Sequence, residues 1–321
     1  MAKHKKQHFV PACYLKAWRD PDSPTTQTPY LWLFDKDGSN ARRKAPENIL
    51  HETDMYTIHL ADGSRDLVLE RGLNQLETEF VKIRNRKLNC RRSLDHLEQM
   101  WVCAFTAAAQ VRTPSSREHH RQIWEMHLKM ITEMMEGAKT STSEQKGRSP
   151  AMQILSSNSK QYMTYEQVKE LHDHPMQSIL FPWIKVITPL LCKLDLGIFV
   201  TKDEIGFITS DHPCVWFDGE SYKRPPLYRG PALMYPTIEI TLPLSPSQCL
   251  FLNRHGISGY LDVNQVVVDE VNRRVRFEAK DYFVVRKSAK RECWFHPGFE
   301  PDDSWDKLHA QPEKTGADSP K

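Results

Sequence analysis

The sequence predicts an α+β fold that has a small N-terminal β unit, a central helical bundle, and a C-terminal mixed or antiparallel sheet with a late helix. Three observations predict this class. Residues 1–64 contain short apolar runs between turn residues, and residues 65–195 carry apolar residues at helical spacing. Strand-like runs divided by Pro and Gly return in residues 196–290. A chain of 321 residues can bury a full core, so we expect one compact domain.

In the N-terminal unit, one short helix precedes two extended runs. Residues 11–18 predict the helix, because Pro11 costs little in a first turn, where its missing N–H would have no partner. Residues 30–34 are mainly apolar and aromatic and predict a strand, which the turn at residues 35–38 ends. Residues 55–60 predict a second extended run.

The central segment repeats apolar residues at spacings of three and four, which places them on one face of each helix. Three such helices can cover their apolar faces only by forming a bundle. The third carries methionines that we expect to fill the core. The first helix has its apolar face at Leu69, Leu73, Leu76, Phe80 and Ile83. The second spans residues 94–111, and Thr113 before Pro114 stops it. The third spans residues 115–135 and carries Met126, Met130, Met134 and Met135.

A polar stretch without apolar periodicity, residues 137–160, predicts a mobile loop after the third helix. Thr164 and Gln167 have the spacing of a capping box, which indicates the start of a further helix. Another apolar helix is predicted over residues 177–194, where two internal prolines should kink it.

The C-terminal part predicts five strands, one helix and a last strand, followed by a tail. Short apolar runs bounded by Pro or Gly are typical of strands. The tail, residues 296–321, is polar and contains proline, and we expect it to be disordered. The strands are predicted at residues 197–201, 206–209, 214–217, 237–242 and 249–252, the helix at residues 263–279 and the last strand at residues 282–285.

The composition predicts a cytoplasmic protein without a membrane partner. The seven cysteines are scattered and form no Cys-x-x-Cys pair, which favours a reducing compartment over a disulfide framework. The first residues lack the apolar core of a secretory signal, and no run of about 18 apolar residues occurs. The net charge is only +3, so a nucleic-acid partner requires a local basic patch. The densest basic clusters, at residues 3–6, 42–44 and 84–92, are expected to be solvated faces.

The strong motifs of nucleotide, zinc-protease, esterase and calcium chemistry do not occur in the sequence, so no nucleotide cofactor is expected. Two weaker patterns remain, a Glu-x-Lys pair of the kind found in metal-dependent nucleases and three histidines on the third helix. The pair closes a predicted helix, whereas that chemistry requires a strand, and the histidines lack an acidic ligand at a matching spacing. The residues are Glu278 and Lys280 with Asp262 or Asp269 upstream, and His119, His120 and His127.

Six short blocks, spread over about residues 5–288, stand out as a set. They are Gln7 to Pro11 with Tyr14, Leu15, Lys16 and Trp18, then Glu70 and Glu77 beside a leucine-rich helix, then Gln110 to Pro114, Thr209 to Pro213, Leu242 to Pro246, and Asn272 with Ala279. In this order they resemble domain of unknown function 4238, a large and mainly bacterial family. His212 and Trp18 depart from the usual residues of that family. The resemblance implies candidate residues and a bacterial source, and it implies no reaction.

Polar residues of these blocks stand beside apolar runs, where burial is costly unless they pair or hold a ligand. A histidine and several converging carboxylates would suit Mg²⁺ or Mn²⁺, and a nearby arginine would suit a phosphate. We therefore expect a metal-dependent nuclease or phosphodiesterase that acts on nucleic acid, in phage defence or as a toxic effector. The predicted roles are catalytic for His8, Glu77 and Asp211, substrate-binding for Gln7, Gln110, Arg112 and Ser210, and metal-binding for His8, Glu70, Glu77 and Asp211.

Two other interpretations stay open at the level of the sequence. In the first, the same residues are structural, and the protein is a non-catalytic module that binds a protein or a nucleic acid. Arg112 would then form a buried ion pair with Glu70 or Glu77, and Asp211 would cap a turn. In the second, Ser210 or Cys13 is the nucleophile of a hydrolase, although the spacing places no general base.

Overall fold

The computed structural model describes residues 6–60, 62–140 and 163–296. Their secondary structure confirms the α+β class. Within these ranges the helices are concentrated in the middle of the chain, with a short one near the start and one near the end. The seven α-helices described are α1 (Ala12–Leu15), α2 (Val68–Arg86), α3 (His96–Val111), α4 (Pro114–Thr140), α5 (Tyr165–Asp173), α6 (Pro175–Leu191) and α7 (Gln265–Glu278).

The strands flank the helical segment on both sides in the sequence. Those described before α2 are short, and those after α6 include the longest. They are β1 (Lys6–His8), β2 (Leu31–Asp35), β3 (Arg42–Lys44), β4 (His51–Thr53), β5 (Ile58–His59), β6 (Arg65–Asp66), β7 (Asp195–Val200), β8 (Thr209–Ser210), β9 (Val215–Asp218), β10 (Ile238–Ser245), β11 (Gln248–Asn253), β12 (Gly259–Asp262) and β13 (Tyr282–Val285).

Two larger sheets organise the strands of the described residues. A five-stranded sheet has the order β12-β7-β11-β10-β9, with β12 parallel to β7 and the other neighbours antiparallel. An antiparallel four-stranded sheet has the order β3-β2-β13-β8. It pairs strands from the start of the chain with strands from the end. Two small sheets, β1-β4 and β5-β6, complete the N-terminal part.

Helix α3 lies in the largest core, which combines apolar side chains from the N-terminal, helical and C-terminal segments. Its face of small and apolar residues, including Ala107 and Ala108, is buried. The helix packs against α2 and α6. Phe105 of α3 stacks on Phe80 of α2, with ring centroids 3.7 Å apart. A second cluster packs Val271 and Val275 of α7 against Phe283 and neighbouring residues.

Helix α1 is fixed to both larger sheets through two buried aromatic side chains. The Tyr14 hydroxyl donates a hydrogen bond to the Pro243 carbonyl over 2.6 Å and lies 2.8 Å from the Thr209 hydroxyl. Trp18 Nε1 donates to the Phe207 carbonyl over 2.8 Å. Each polar atom is therefore satisfied inside an apolar environment, and the N-terminal motif is held in one place against the C-terminal strands.

The C-terminal end of helix α4 differs from the predicted loop. Residues 137–140 are helical, and the remainder of the predicted loop, residues 141–160, lies outside the described residues, as do residues 297–321 of the predicted tail. The expectation that the α4 methionines fill the core was wrong for three of them, because Met126, Met130 and Met135 are 64%, 49% and 42% exposed.

Two predicted strands are shorter in the structure, and five of the described strands, β1, β3, β4, β6 and β12, were not predicted. The extended run at residues 55–60 reduces to β5, because the chain turns at Asp54, whose φ is +57°. The strand predicted at residues 206–209 reduces to β8. Strand β12 was missed because its residues are largely exposed and lack a buried apolar face. The capping box of Thr164 and Gln167 is confirmed at the start of α5.

None of the helices described combines the length and the apolar character that a bilayer crossing requires.

We expect Tyr14→Phe to lower the free energy of unfolding by about 1–3 kcal/mol, because the buried Pro243 carbonyl and Thr209 hydroxyl lose their partner. Urea unfolding followed by circular dichroism measures the change. Tyr228→Phe is the matched control, since Tyr228 is 59% exposed, and its effect should stay within about 0.5 kcal/mol. Equal effects of the two substitutions would show that the Tyr14 hydroxyl does not hold α1 in place.

Candidate functional site

Gln7, predicted to bind substrate, connects strand β1 to the turn before β5. Its side chain is completely buried. The Oε1 atom accepts a hydrogen bond from the Tyr56 backbone N–H over 2.5 Å, and Nε2 donates to the Thr57 hydroxyl over 3.0 Å. Both ends of the amide are therefore used within the protein. The observed role of Gln7 is to fix the turn that carries Tyr56.

Arg112 forms the buried ion pair that the structural interpretation expected, and its partner is Glu77. The Nη1 atom of Arg112 lies 2.9 Å from Glu77 Oε1, and the two side chains are only 3% and 16% exposed. Nη2 donates to the His8 carbonyl over 2.6 Å. Burial disfavours the charged guanidinium, but the interactions with Glu77 and Tyr56 together outweigh it and hold the pKa of Arg112 above its usual range.

Tyr56 and Glu70 surround the same arginine. The Tyr56 hydroxyl donates to the Arg112 carbonyl over 2.8 Å, which satisfies an oxygen at the end of α3. Burial raises the pKa of Tyr56 to about 12, and the nearby charges of Glu70 and Glu77 act in the same direction. Glu70 therefore lies near this cluster, as the sequence predicted, while the direct contact to Arg112 comes from Glu77.

Cys13, the nucleophile of one alternative hypothesis, also meets Glu77. Its thiol donates to Glu77 Oε2 over 3.5 Å. Burial and the adjacent carboxylate raise the pKa of Cys13 to about 12. A thiol with this pKa holds its proton at neutral pH, whereas a cysteine nucleophile needs the thiolate. The surroundings of Cys13 therefore oppose that role.

His8 places its ring beside His51 of strand β4, with ring centroids 5.3 Å apart. Burial, together with the charges of His51 and Arg112, lowers the pKa of His8 to about 4, so the imidazole is neutral at pH 7. Its Nε2 atom is buried and has no hydrogen-bond partner among the described residues, and the same is true of Gln110 Oε1 at the end of α3. Arg112 Nε is a third buried atom of the predicted set without a hydrogen-bond partner among the described residues.

Asp211 caps the segment that leads into strand β13. Its Oδ1 accepts from the Lys280 backbone N–H over 2.8 Å, and its Oδ2 accepts from Asp281 and Tyr282 over 2.6 and 2.9 Å. Burial raises the pKa of Asp211, and these three hydrogen bonds act against the rise. Ser210 is likewise engaged, because its hydroxyl accepts from the His212 backbone N–H over 3.1 Å.

Two of the sequence blocks touch each other through His212 and Thr113. The Thr113 hydroxyl lies 3.1 Å from His212 Nδ1 and accepts from the Ser116 backbone N–H over 3.2 Å. The hydroxyl proton is therefore free to be donated to Nδ1, which suits a neutral imidazole. Burial lowers the pKa of His212 to about 4. His212, which departs from the family's usual residue, thus joins the end of α3 to the turn after β8.

Three of the six blocks meet at a cleft of about 360 Å³, which we name the seam cleft. It lies where the four-stranded sheet meets strand β4 and the start of α4. Its lining includes Phe9 and Pro114 from two of the blocks, together with Asp211. The other lining residues are not among the predicted site residues; they are Leu33, Arg42, Lys44, Asn48, Ile49, Leu50, His51, Glu52, Lys280, Asp281 and Tyr282.

The predicted metal-binding residues divide between two places. Glu77 contacts the Arg112 guanidinium, and the Asp211 carboxylate is occupied by backbone N–H groups beside β13. Within residues 6–60, 62–140 and 163–296, no three His, Cys, Asp or Glu side chains are grouped as metal ligands.

The Glu-x-Lys pattern lies at the end of α7, as the sequence indicated, and its upstream aspartates have other partners. Asp262 pairs with Arg91 over 2.8 Å and Asp269 with Arg291 over 2.7 Å. Burial raises the pKa of Glu278. Among the histidines of α4, His127 Nδ1 lies 2.7 Å from the Ile123 carbonyl, one turn earlier in the same helix.

The fold and this site define an α+β protein whose N-terminal strand, central helices and C-terminal turn share one buried polar cluster. A family model described as "Protein of unknown function (DUF4238)" matches residues 6–290. The chain therefore belongs to that family. Neither the curated proteins nor the solved structures gave a match.

Arg112→Ala should lower the free energy of unfolding by about 3–5 kcal/mol, because it leaves the Glu77 carboxylate and the His8 carbonyl without their buried donor. Urea unfolding measures the loss. Arg117→Ala removes a partly exposed ion pair with Glu52 and should cost at most about 1 kcal/mol. If Arg112→Ala lowered the free energy of unfolding no more than this control does, the buried contacts of Arg112 with Glu77 and His8 would not hold these segments together.

Stability should fall as the pH is lowered from 7 towards 4. His8 and His212 have folded-state pKa values of about 4, whereas an unfolded histidine titrates near about 6.5. Between these two pKa values the unfolded state binds protons that the folded state does not bind. The free energy of unfolding that the two neutral histidines contribute is therefore complete above the unfolded pKa and is lost as the pH falls. Thermal melts at intervals from pH 7 to pH 5 test this.

His212→Asn should flatten that pH dependence, since asparagine keeps a polar atom near Thr113 but does not titrate. His127→Asn, at an exposed position of α4, should leave the slope of the wild-type protein unchanged. A pH dependence that survives His212→Asn in full would contradict the assignment.

Proposed function

We propose that this protein is a non-catalytic module that binds single-stranded nucleic acid in the seam cleft. The observation that carries the proposal is the distribution of charge around the cleft. Its exposed cations, Lys44 and Lys280, border an apolar and aromatic floor. Of the three acidic residues in the lining, Asp211 and Glu52 have partners inside the protein, and Asp281 is exposed beside Lys280.

Glu77, Asp211 and Glu52 support a bracing role, because each has a specific internal partner. Glu77 is shared by Arg112 and Cys13, and Asp211 receives three backbone hydrogen bonds. Glu52, on the wall of the cleft, is paired with Arg117. A carboxylate with a close cationic or N–H partner repels an approaching phosphate less than an unpaired one does.

The pleat of strand β3 directs its alternate side chains to the cleft. Arg42 and Lys44 lie opposite Leu33 and Leu31 of β2 in the antiparallel register. Residues directly opposite each other share a face of the sheet. Both basic side chains therefore stand on the face where Leu33 lines the cleft, whereas Arg43 points to the other face. Residues 42–44, which were expected to be a solvated basic face, thus direct Arg42 and Lys44 towards the cleft.

The floor of the cleft suits a base. Tyr282 and His51 are partly exposed aromatic lining residues, beside the buried Phe9, and aromatic faces stack on bases without regard to sequence at about 1–3 kcal/mol per base. Burial lowers the pKa of His51, which favours the neutral ring at pH 7. A volume of about 360 Å³ lies within the range of about 300–1,000 Å³ that is usual for ligand sites.

The metal-dependent nuclease or phosphodiesterase remains a prediction, as do a role in phage defence or as a toxic effector and a cytoplasmic location. The unsatisfied Nε2 of His8 is the feature of this chain that a metal or a proton-accepting role would use.

Lys44→Glu/Lys280→Glu should weaken the binding of a fluorescein-labelled single-stranded 12-mer by more than about tenfold, because two attractive contacts with phosphates become repulsive. Fluorescence anisotropy over a range of salt concentrations measures this. If each lysine meets one phosphate, the slope of log Kobs against log salt should fall in magnitude by about 1.4.

The control is Lys129→Glu/Lys139→Glu, which makes the same change in net charge at two exposed positions of α4. It should bind as the wild-type protein does. Equal weakening in both double variants would reduce the effect to net charge and overturn the proposed site. Cleavage of the 12-mer that requires Mg²⁺ or Mn²⁺ would contradict the non-catalytic role.

A further inference from the structure

A second cavity, of about 440 Å³, lies away from the seam cleft and shares none of its lining residues. We name it the α2–hairpin pocket, because it lies between the C-terminal end of α2, the residues after α1, and the turn that joins β10 to β11. Three basic side chains line it, Lys16, Arg84 and Arg286, and no Asp or Glu is among its lining residues.

Arg84 brings a buried positive charge to this pocket. Its residue is only 7% exposed, and its guanidinium donates to the carbonyls of Cys13 and Tyr14 over 3.1 and 3.3 Å. These carbonyls belong to α1, and each accepts one hydrogen bond from the guanidinium. They carry no net charge, so the cation has no counter-ion there, and burial lowers the pKa of Arg84.

Arg286, just after β13, supplies the second guanidinium. Its Nε atom is buried and lacks a hydrogen-bond partner in the described part of the chain. The charge of Arg286 contributes to lowering the pKa of Glu204, but that carboxylate is already paired with Lys287 over 2.5 Å. A buried donor without an acceptor is costly unless a ligand or water provides one.

Lys16 stands at the rim and is only partly neutralised. Glu47 lies 3.2 Å from Lys16 Nζ and 3.6 Å from Arg19 Nη2. One carboxylate thus faces two cations, and a positive charge remains at this edge of the pocket. All three side chains are well exposed, so the contacts are readily exchanged with a ligand.

Neutral polar groups complete the lining. Asn85 and Asn89 come from the end of α2 and the following turn, and Ser247 comes from the β10–β11 turn. That turn is held rigidly, because the Pro246 carbonyl accepts from Phe207 N over 2.8 Å and passes so close to Gly206 that a Cβ there would lie 2.0 Å away. The Ser247 hydroxyl is therefore presented to the pocket from a fixed turn.

We propose that the α2–hairpin pocket binds a group of two or more linked phosphates. Several cations around a cavity of this size suit a ligand with more than one negative charge, and guanidinium groups match phosphate oxygens in geometry as well as charge. Hydroxyl and amide side chains add donors to the remaining oxygens. The ligand chemistry is shared by a free nucleotide polyphosphate and by the triphosphorylated 5′ end of a nucleic acid.

Isothermal titration calorimetry at fixed ionic strength should show that inorganic tripolyphosphate binds more than about tenfold tighter than orthophosphate or sulfate, since each added phosphate gains further charge-assisted hydrogen bonds. Arg286→Gln and Lys16→Gln should each weaken tripolyphosphate about tenfold. Arg84 is left intact because it also holds α1. Thermal melts without ligand establish that the variants are folded.

The control is Lys82→Gln on α2, an exposed lysine that contacts Glu79 and does not line the pocket. It should bind tripolyphosphate like the wild-type protein. Competition by a nucleoside triphosphate or by a 5′-triphosphorylated 12-mer supports the proposal and identifies the source of the phosphates. Equal affinity for sulfate and tripolyphosphate, or wild-type affinity in folded Arg286→Gln and Lys16→Gln proteins, overturns it.

Discussion

The buried guanidinium of Arg112 joins three parts of the chain that lie far apart in sequence. It ends α3, pairs with Glu77 of α2, and donates to the carbonyl of His8 in β1, while its own carbonyl accepts from Tyr56. A charge in an apolar core is tolerated only when its partners are fixed. The ion pair therefore restricts where the N-terminal strand can lie relative to the helices, and the position of the seam cleft follows from that restriction.

The polar residues of this protein fall into two groups with different physical tasks. Those of the sequence blocks, such as Gln7 and Asp211, are satisfied inside the molecule and hold its segments together. Those that line the cavities include six lysines and arginines, from β3, α2, the segments beside β13 and the residue after α1, with the acidic Glu52 and Asp281 also present in the seam cleft. The first group creates the shape of the two cavities, and the second gives them a charge that suits phosphates.

Helices α2 and α3 were predicted well because the evidence for them is local. Leucines at spacings of three and four specify a helix face wherever that face is later buried. The α4 methionines show the limit of this argument, since periodicity identifies a face but not the amount of neighbouring structure that covers it. Strand β12 shows another limit, because it exists through parallel pairing with β7, a partner about sixty residues away.

For the site, the sequence by itself determined which residues were unusual: a histidine, three carboxylates, two amides, a serine and an arginine beside apolar runs. The sequence left open whether their segments would meet. Only the tertiary structure decided what they do there, because the role of a buried polar group depends on the partner within hydrogen-bond reach. Asp211 found three N–H groups and Glu77 found Arg112. Those partners come from distant segments, so the spacing of residues along the chain does not reveal them.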